Sequence, residues 1–205
     1  MGGPSFFCEW VCLGPRGFLS CDANGGYDLE TTLRAAPMLA DLGVPVLEQP
    51  IPINQISGYQ RLVKQAALPI VLDEGMVSPT ELNEYIGLGC CNGVAVKTAR
   101  CGGLLPAREQ IQILADSNLL FLGSGLTDPD VSLAASLILF GAHGLSHPAA
   151  LNGPQFLGER VLTEPFVPVR GKVRIPQGPG LGVTVDEAKL ADLVRRSAVM
   201  GRLGH

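Results

Sequence analysis

Five short apolar runs, each closing on a polar residue or a glycine, recur along this chain at nearly constant spacing. They read Gly17–Asp22 (GFLSCD), Val44–Glu48 (VPVLE), Pro69–Asp73 (PIVLD), Gly93–Lys97 (GVAVK) and Leu119–Gly123 (LLFLG). Their endpoints lie 26, 25, 24 and 26 residues apart (22 to 48, 48 to 73, 73 to 97, 97 to 123). A period near 25 is what one strand, one helix and two short loops consume. The runs are continuously apolar rather than alternating, as expected of parallel strands covered on both faces.

The intervening segments read as helices. Leu29–Leu42 places apolar residues at helical spacing, and Ser78-Pro79-Thr80-Glu81 opens a second helix with a capping-box pattern. Leu104–Ser117 and Asp130–Ala142 are two more. Strand–helix repetition of this kind predicts an incomplete TIM-type (β/α) barrel of about six parallel strands, the sixth near Ser146–Leu151. An open doubly wound sheet fits the same pattern. A closed barrel needs eight units, and the first twenty residues cannot hold two of them, so an N-terminal truncation is expected. The expected division is an irregular segment at 1–17, a barrel domain at 18–190 and a tail at 191–205.

Composition excludes several functions. The 205 residues are 46% hydrophobic and 17% charged, a globular balance, and the net charge of −4 comes with no basic run to neutralise phosphates. Nucleic acid is therefore not an expected partner. Apolar stretches such as Val131–Ala142 are too short to span a bilayer, and no membrane partner is expected. The N-terminus lacks a basic region and carries Glu9 within its apolar stretch, unlike a signal peptide. Six cysteines (Cys8, Cys12, Cys21, Cys90, Cys91 and Cys101) form no CxxC pair, so reduced thiols and a cytoplasmic location are expected.

The strand ends carry the chemistry. In parallel α/β architectures, functional groups gather where strands feed into their following loops. Asp22, Glu48, Asp73 and Lys97 occupy that position on four successive strands. Taken singly, each acid could be a helix cap or a loop charge. Three carboxylates brought together repel one another, and a hard divalent cation such as Mg²⁺ removes the conflict. Lys97 is either a surface lysine or, facing such a site, a general base. Gly102-Gly103 would let the backbone turn closely beside it.

DANGGYD (Asp22–Asp28), LEQP (Leu47–Pro50), LPIVLDE (Leu68–Glu74) and VKTARCGGL (Val96–Leu104) together resemble the muconate-lactonizing subgroup of the enolase superfamily. GKVRIPQGPGLGVTVDEAKL (Gly171–Leu190) resembles the tail that closes those proteins. The resemblance covers about residues 18–190. It implies Asp22, Glu48 and Asp73 as ligands of Mg²⁺, with Mn²⁺ as an alternative, and Lys97 as the acid/base. It places Asn24 and Glu74 in supporting positions beside the ligands. The implied activity is that of a racemase, epimerase, cycloisomerase or dehydratase that removes the α-proton of a small carboxylate substrate through an enediolate.

Two departures qualify that implication. Family members carry a Lys-x-Lys pair on an earlier strand and a capping domain, whereas the lysines here are Lys64, Lys97, Lys172 and Lys189. The alternative reading is therefore a catalytically impaired fragment that retains metal binding, or a remnant that binds a partner or a second copy of itself through exposed sheet edges. Near His147–Leu157, Ala150 and Asn152 stand where dipeptide epimerases place an Asp-x-Asp, and the run looks closer to members acting on proline- or hydroxyproline-type substrates. His143 and His147 are either substrate-polarising groups or ordinary loop and core histidines.

Overall fold

The computed structural model describes residues 18 and 20–203. Its elements are β1 (Ser20–Asp22), α1 (Leu29–Asp41), β2 (Val46–Glu48), α2 (Ile56–Gln65), β3 (Ile70–Leu72), α3 (Pro79–Gly87), β4 (Gly93–Lys97), α4 (Leu104–Asp116), β5 (Leu120–Ser124), α5 (Asp130–Ala142) and α6 (Glu187–Leu203). The strands form one parallel sheet in the order β1-β2-β3-β4-β5. This is an arc of a (β/α) barrel, so the barrel expectation holds and the open doubly wound alternative falls. The irregular segment expected at 1–17 lies outside the described residues.

The chain divides into two compact units, residues 1–124 with 145–149, and residues 125–144 with 150–205. The first holds the whole sheet. Glu48 pairs in register with Val71, two residues short of Asp73, and Val71 pairs with Gly93, four short of Lys97. This stagger is the tilt a barrel wall requires. Side chains two residues apart share a face. Val46, Val71, Ala95 and Leu122 form a buried cluster flanked by Phe18 and Leu120. Glu48, Asp73, Lys97 and Ser124 each lie two residues further along the same strands, one layer above that apolar floor.

The helices follow from local chemistry. Ser78 caps α3 as its sequence predicts: its Oγ accepts from Glu81 N at 3.3 Å and donates to Glu81 Oε2 at 3.0 Å. In α1, Pro37 has no N–H to give the carbonyl four residues back. Gln65 Nε2 of α2 donates to that orphaned Leu33 carbonyl at 2.8 Å, tying the two helices together. α4 packs on β4 and β5. α2 was not among the helices read from the sequence, since Gln55 gives it no side-chain cap and Gly58 lies within it.

The expected sixth strand is not formed among the described residues. Ala150 makes only a single bridge, and Pro148 in the middle of the run has no N–H to donate to a ladder. Five strands are therefore observed where about six were expected.

In the second unit, Asp130 at the start of α5 is buried and accepts Arg160 Nε at 2.8 and 3.0 Å and Val161 N at 3.2 Å. Asp128 accepts from Leu126 N at 3.0 Å and Ser132 Oγ at 2.8 Å. These carboxylates pin a segment that otherwise has little regular structure. α6 continues through the expected boundary at 190. No described helix is long and apolar enough to cross a membrane.

Candidate metal centre at the strand ends

Asp22, Glu48 and Asp73 converge, each offering an oxygen within 4.8 Å of the others. β1, β2 and β3 deliver them side by side because each follows its strand's last apolar residue. Asp22 is half-buried, Glu48 is 8% exposed and Asp73 1% exposed. Lys97, at the end of β4, donates from Nζ to Asp73 Oδ2 at 2.5 Å, and the Arg100 guanidinium donates to Asp73 Oδ1. Four strands read from the sequence as bearing polar endpoints thus bring those endpoints into one place.

Asn24 and Glu74, the expected supporting residues, sit close by. Asn24 N donates to Asp22 Oδ1 at 2.9 Å, with Asn24 in the left-handed region at φ 47°. Glu74 is half-buried, and its Oε2 is buried without a hydrogen-bond partner. Gly102 and Gly103 both have positive φ, 90° and 113°, so the turn after Lys97 does require glycine. Three residues went unremarked in the sequence. Arg100 and Gln49 lay inside motifs quoted there, and Ser124 pairs in register with Lys97.

His147 packs its ring against Phe18, with centroids 4.7 Å apart, and His143 is the C-cap of α5. No hydrogen bond or ion pair joins His147 to the acidic cluster among the described residues. Cys21, Cys90, Cys91 and Cys101 are buried, the last three as thiols.

Electrostatics at the cluster call for positive charge. Burial, reinforced by the neighbouring Asp22 and Asp73 charges, pushes the Glu48 carboxyl up to about 8. Burial also raises Asp22, against the lowering effect of the Asn24 N–H, and burial raises Glu74. Lys97 and Arg100 both pair with Asp73, and among the described residues no salt bridge joins a cation to Glu48 or Asp22. An all-oxygen set of three carboxylates, with one acid held protonated near neutral pH, fits a hard divalent cation.

A pH dependence follows. The folded state keeps a proton on Glu48 that the unfolded chain releases near 4.5. The stability this confers is present below 4.5 and is lost as pH rises through about 8. In a chelator, denaturant unfolding is expected to show stability falling between pH 5.5 and 7.5, by at most about 1.4 kcal/mol per pH unit for one proton. Saturating Mg²⁺ is expected to flatten the slope. A flat or rising curve in chelator would contradict this electrostatic picture.

A family model described as enolase C-terminal domain-like matches residues 12–189. Muconate cycloisomerase 1 of Rhodococcus opacus is 32% identical over 80% of this chain and 44% of its own length. N-succinylamino acid racemase of an Amycolatopsis species is 33% identical over 80% of this chain and 45% of its own. The crystal structure of 2-chloromuconate cycloisomerase from Rhodococcus opacus superposes with a TM-score of 0.75 at 34% identity, over 84% of this chain and 48% of that one. The chain thus spans about half the length of the relatives it matches.

Proposed function

We propose, from the premise that this chain belongs to the enolase C-terminal domain-like family, that it serves Mg²⁺-dependent removal of an α-proton from a small carboxylate by Lys97. One observation carries the reading: three carboxylates and a lysine, each at the end of its own strand, converge at one end of the sheet. Asp22, Glu48 and Asp73 would hold Mg²⁺ or Mn²⁺. Bound there, the cation supplies positive charge opposite the substrate carboxylate, which lowers the cost of the negative charge left by the departing proton.

The chain's own groups do the rest. Lys97 Nζ takes the α-proton and returns it to the same face. Asp73 holds Lys97 in reach, and Arg100 shares the Asp73 charge so that this carboxylate does not fix the amine alone. Asn24 N–H steadies Asp22. Glu74, beside Asp73, is the second supporting group. The buried thiols of Cys90, Cys91 and Cys101 favour a reducing, cytoplasmic setting.

The names of the relatives point to the substrate class. A muconate and an N-succinylamino acid both present carboxylates, and the chain's own LNGPQFL run favours proline- or hydroxyproline-type acids. Incubation in deuterated water with Mg²⁺ and a panel of N-succinylamino acids, proline and hydroxyproline is expected to place deuterium at the α-carbon of at least one. Exchange that persists unchanged in chelator would refute the cation's part.

A second reading, cation binding without turnover, is favoured by the ion pair that occupies Lys97 at Asp73. Stoichiometric cation binding with no exchange across the panel would select it.

A further inference from the structure

Gln49 touches all three loops that carry the acidic residues, yet none of its contacts is with a carboxylate oxygen. Its main-chain N donates to Val71 O at 2.8 Å, and its carbonyl accepts from Gly25 N, in the loop after Asp22, at 2.6 Å. Its side-chain Oε1 accepts from Asp73 N at 2.9 Å and from Gly75 N at 3.4 Å. Nε2 donates to the Tyr59 hydroxyl at 2.6 Å and to Ile51 O at 3.3 Å, and the Tyr59 hydroxyl donates in turn to Ile51 O at 2.5 Å. Gln49 is 1% exposed and Tyr59 fully buried.

The side chain is used to capacity: one carbonyl accepts twice, and one amide donates twice. A glutamate would lack the donors, and an asparagine is one methylene short. The residue also sits at φ 35°, a left-handed conformation that a non-glycine residue keeps only where its surroundings enforce it. Gly75 completes the fit, since a Cβ there would clash with the Ile53 side chain. Buried amides of this kind are costly to leave half-satisfied, so the network holds one geometry. Glu48 is the preceding residue, and the Asp73 N–H is itself the group that Gln49 grips.

We infer that Gln49 is a positioning residue that sets the separation of the Glu48 and Asp73 carboxylates for a divalent cation. This rests on the cation reading proposed above. Groups that orient metal ligands from behind are typically worth about 10–100-fold in affinity. Tyr59 acts through Gln49, and its hydroxyl contributes less because Gln49 retains its other partners.

Mn²⁺ titration of the full chain, followed by calorimetry and by the electron paramagnetic resonance signal of the bound ion, tests this. Gln49→Met preserves length and removes every side-chain hydrogen bond. It is expected to weaken Mn²⁺ binding by about 10–100-fold and to alter the bound-ion spectrum. Tyr59→Phe is expected to weaken binding in the same direction but less, and it decides the matter if Gln49→Met does not fold. Leu114→Ala, a fully buried change on α4, is the control for destabilisation and should leave affinity and spectrum native. Native affinity and spectrum in Gln49→Met, or in Tyr59→Phe should that variant alone fold, with binding lost in Asp73→Asn, would overturn the role of Gln49 and leave the cation site standing. An unmodified chain that binds no Mn²⁺, or binding that survives Asp73→Asn unchanged, would overturn the cation site itself.

Discussion

Replacing Lys97 with methionine is expected to lower Mg²⁺-dependent deuterium incorporation at the substrate α-carbon by about 10²–10⁴-fold, the usual worth of a positioned general base. Methionine approximates the length and apolar stem of lysine, so the floor of Val71, Ala95 and Leu122 beneath it stays packed. Arg100 remains on Asp73, so the carboxylate is not left as a bare buried charge. Cation affinity should therefore change far less than the exchange rate. Exchange and affinity measured on the same preparation separate the two effects. Undiminished exchange in Lys97→Met would remove this lysine from the reaction. Racemisation of a chiral substrate is not expected from the unsubstituted chain, since proton return to the opposite face needs a second donor and, among the described residues, Lys97 is the one lysine ion-paired within the acidic cluster.

Asp73→Asn is expected to weaken Mg²⁺ or Mn²⁺ binding by more than about 100-fold, above the range for residues that only orient ligands. Two opposed effects act on stability. Loss of one negative charge relieves Glu48 and Asp22, whose protons the crowding helps retain. It also leaves Lys97 and Arg100 facing a neutral amide. Breaking a buried ion pair costs about 3–5 kcal/mol. The side chains of Lys97 and Arg100 keep 11% and 19% exposure, so each finds some water and the lower end applies. Destabilisation should win. Denaturant unfolding in chelator reads this effect and titration calorimetry reads the first. Cation affinity unchanged from that of the unsubstituted chain would exclude Asp73 as a ligand.

Much of the first unit was legible because its information is periodic. A strand that must emerge every 25 or so residues, with its last side chain at the rim, declares both its boundaries and its functional position. Gly93–Lys97 was read to the residue. Asp22, Glu48, Asp73 and Lys97 stood out by the same arithmetic. What escaped was held by contacts with no period. Gln49 draws its place from a side chain reaching across two loops, and Arg100 from the second oxygen of Asp73. α2 lacks the capping signal that marks α3, and it shows itself only once Tyr59 is seen buried beneath Ile51 and Gln49. A sixth strand near Ser146–Leu151 was expected from the repeat, but Pro148 interrupts any ladder there.

The sheet order β1-β2-β3-β4-β5 has a consequence for how the chain is made. Each strand after β1 pairs with the one synthesised just before it, so the wall can be laid down in the order in which it leaves the ribosome. The three acids are complete once Asp73 has emerged, but the lysine that answers it follows 24 residues later. At about 5–20 residues per second, that gap lasts roughly one to five seconds. A wall folded to that point would carry a crowded acidic cluster with neither Lys97 nor Arg100 to balance it. Protons, or a divalent cation from the surrounding solution, are then the available counter-charge.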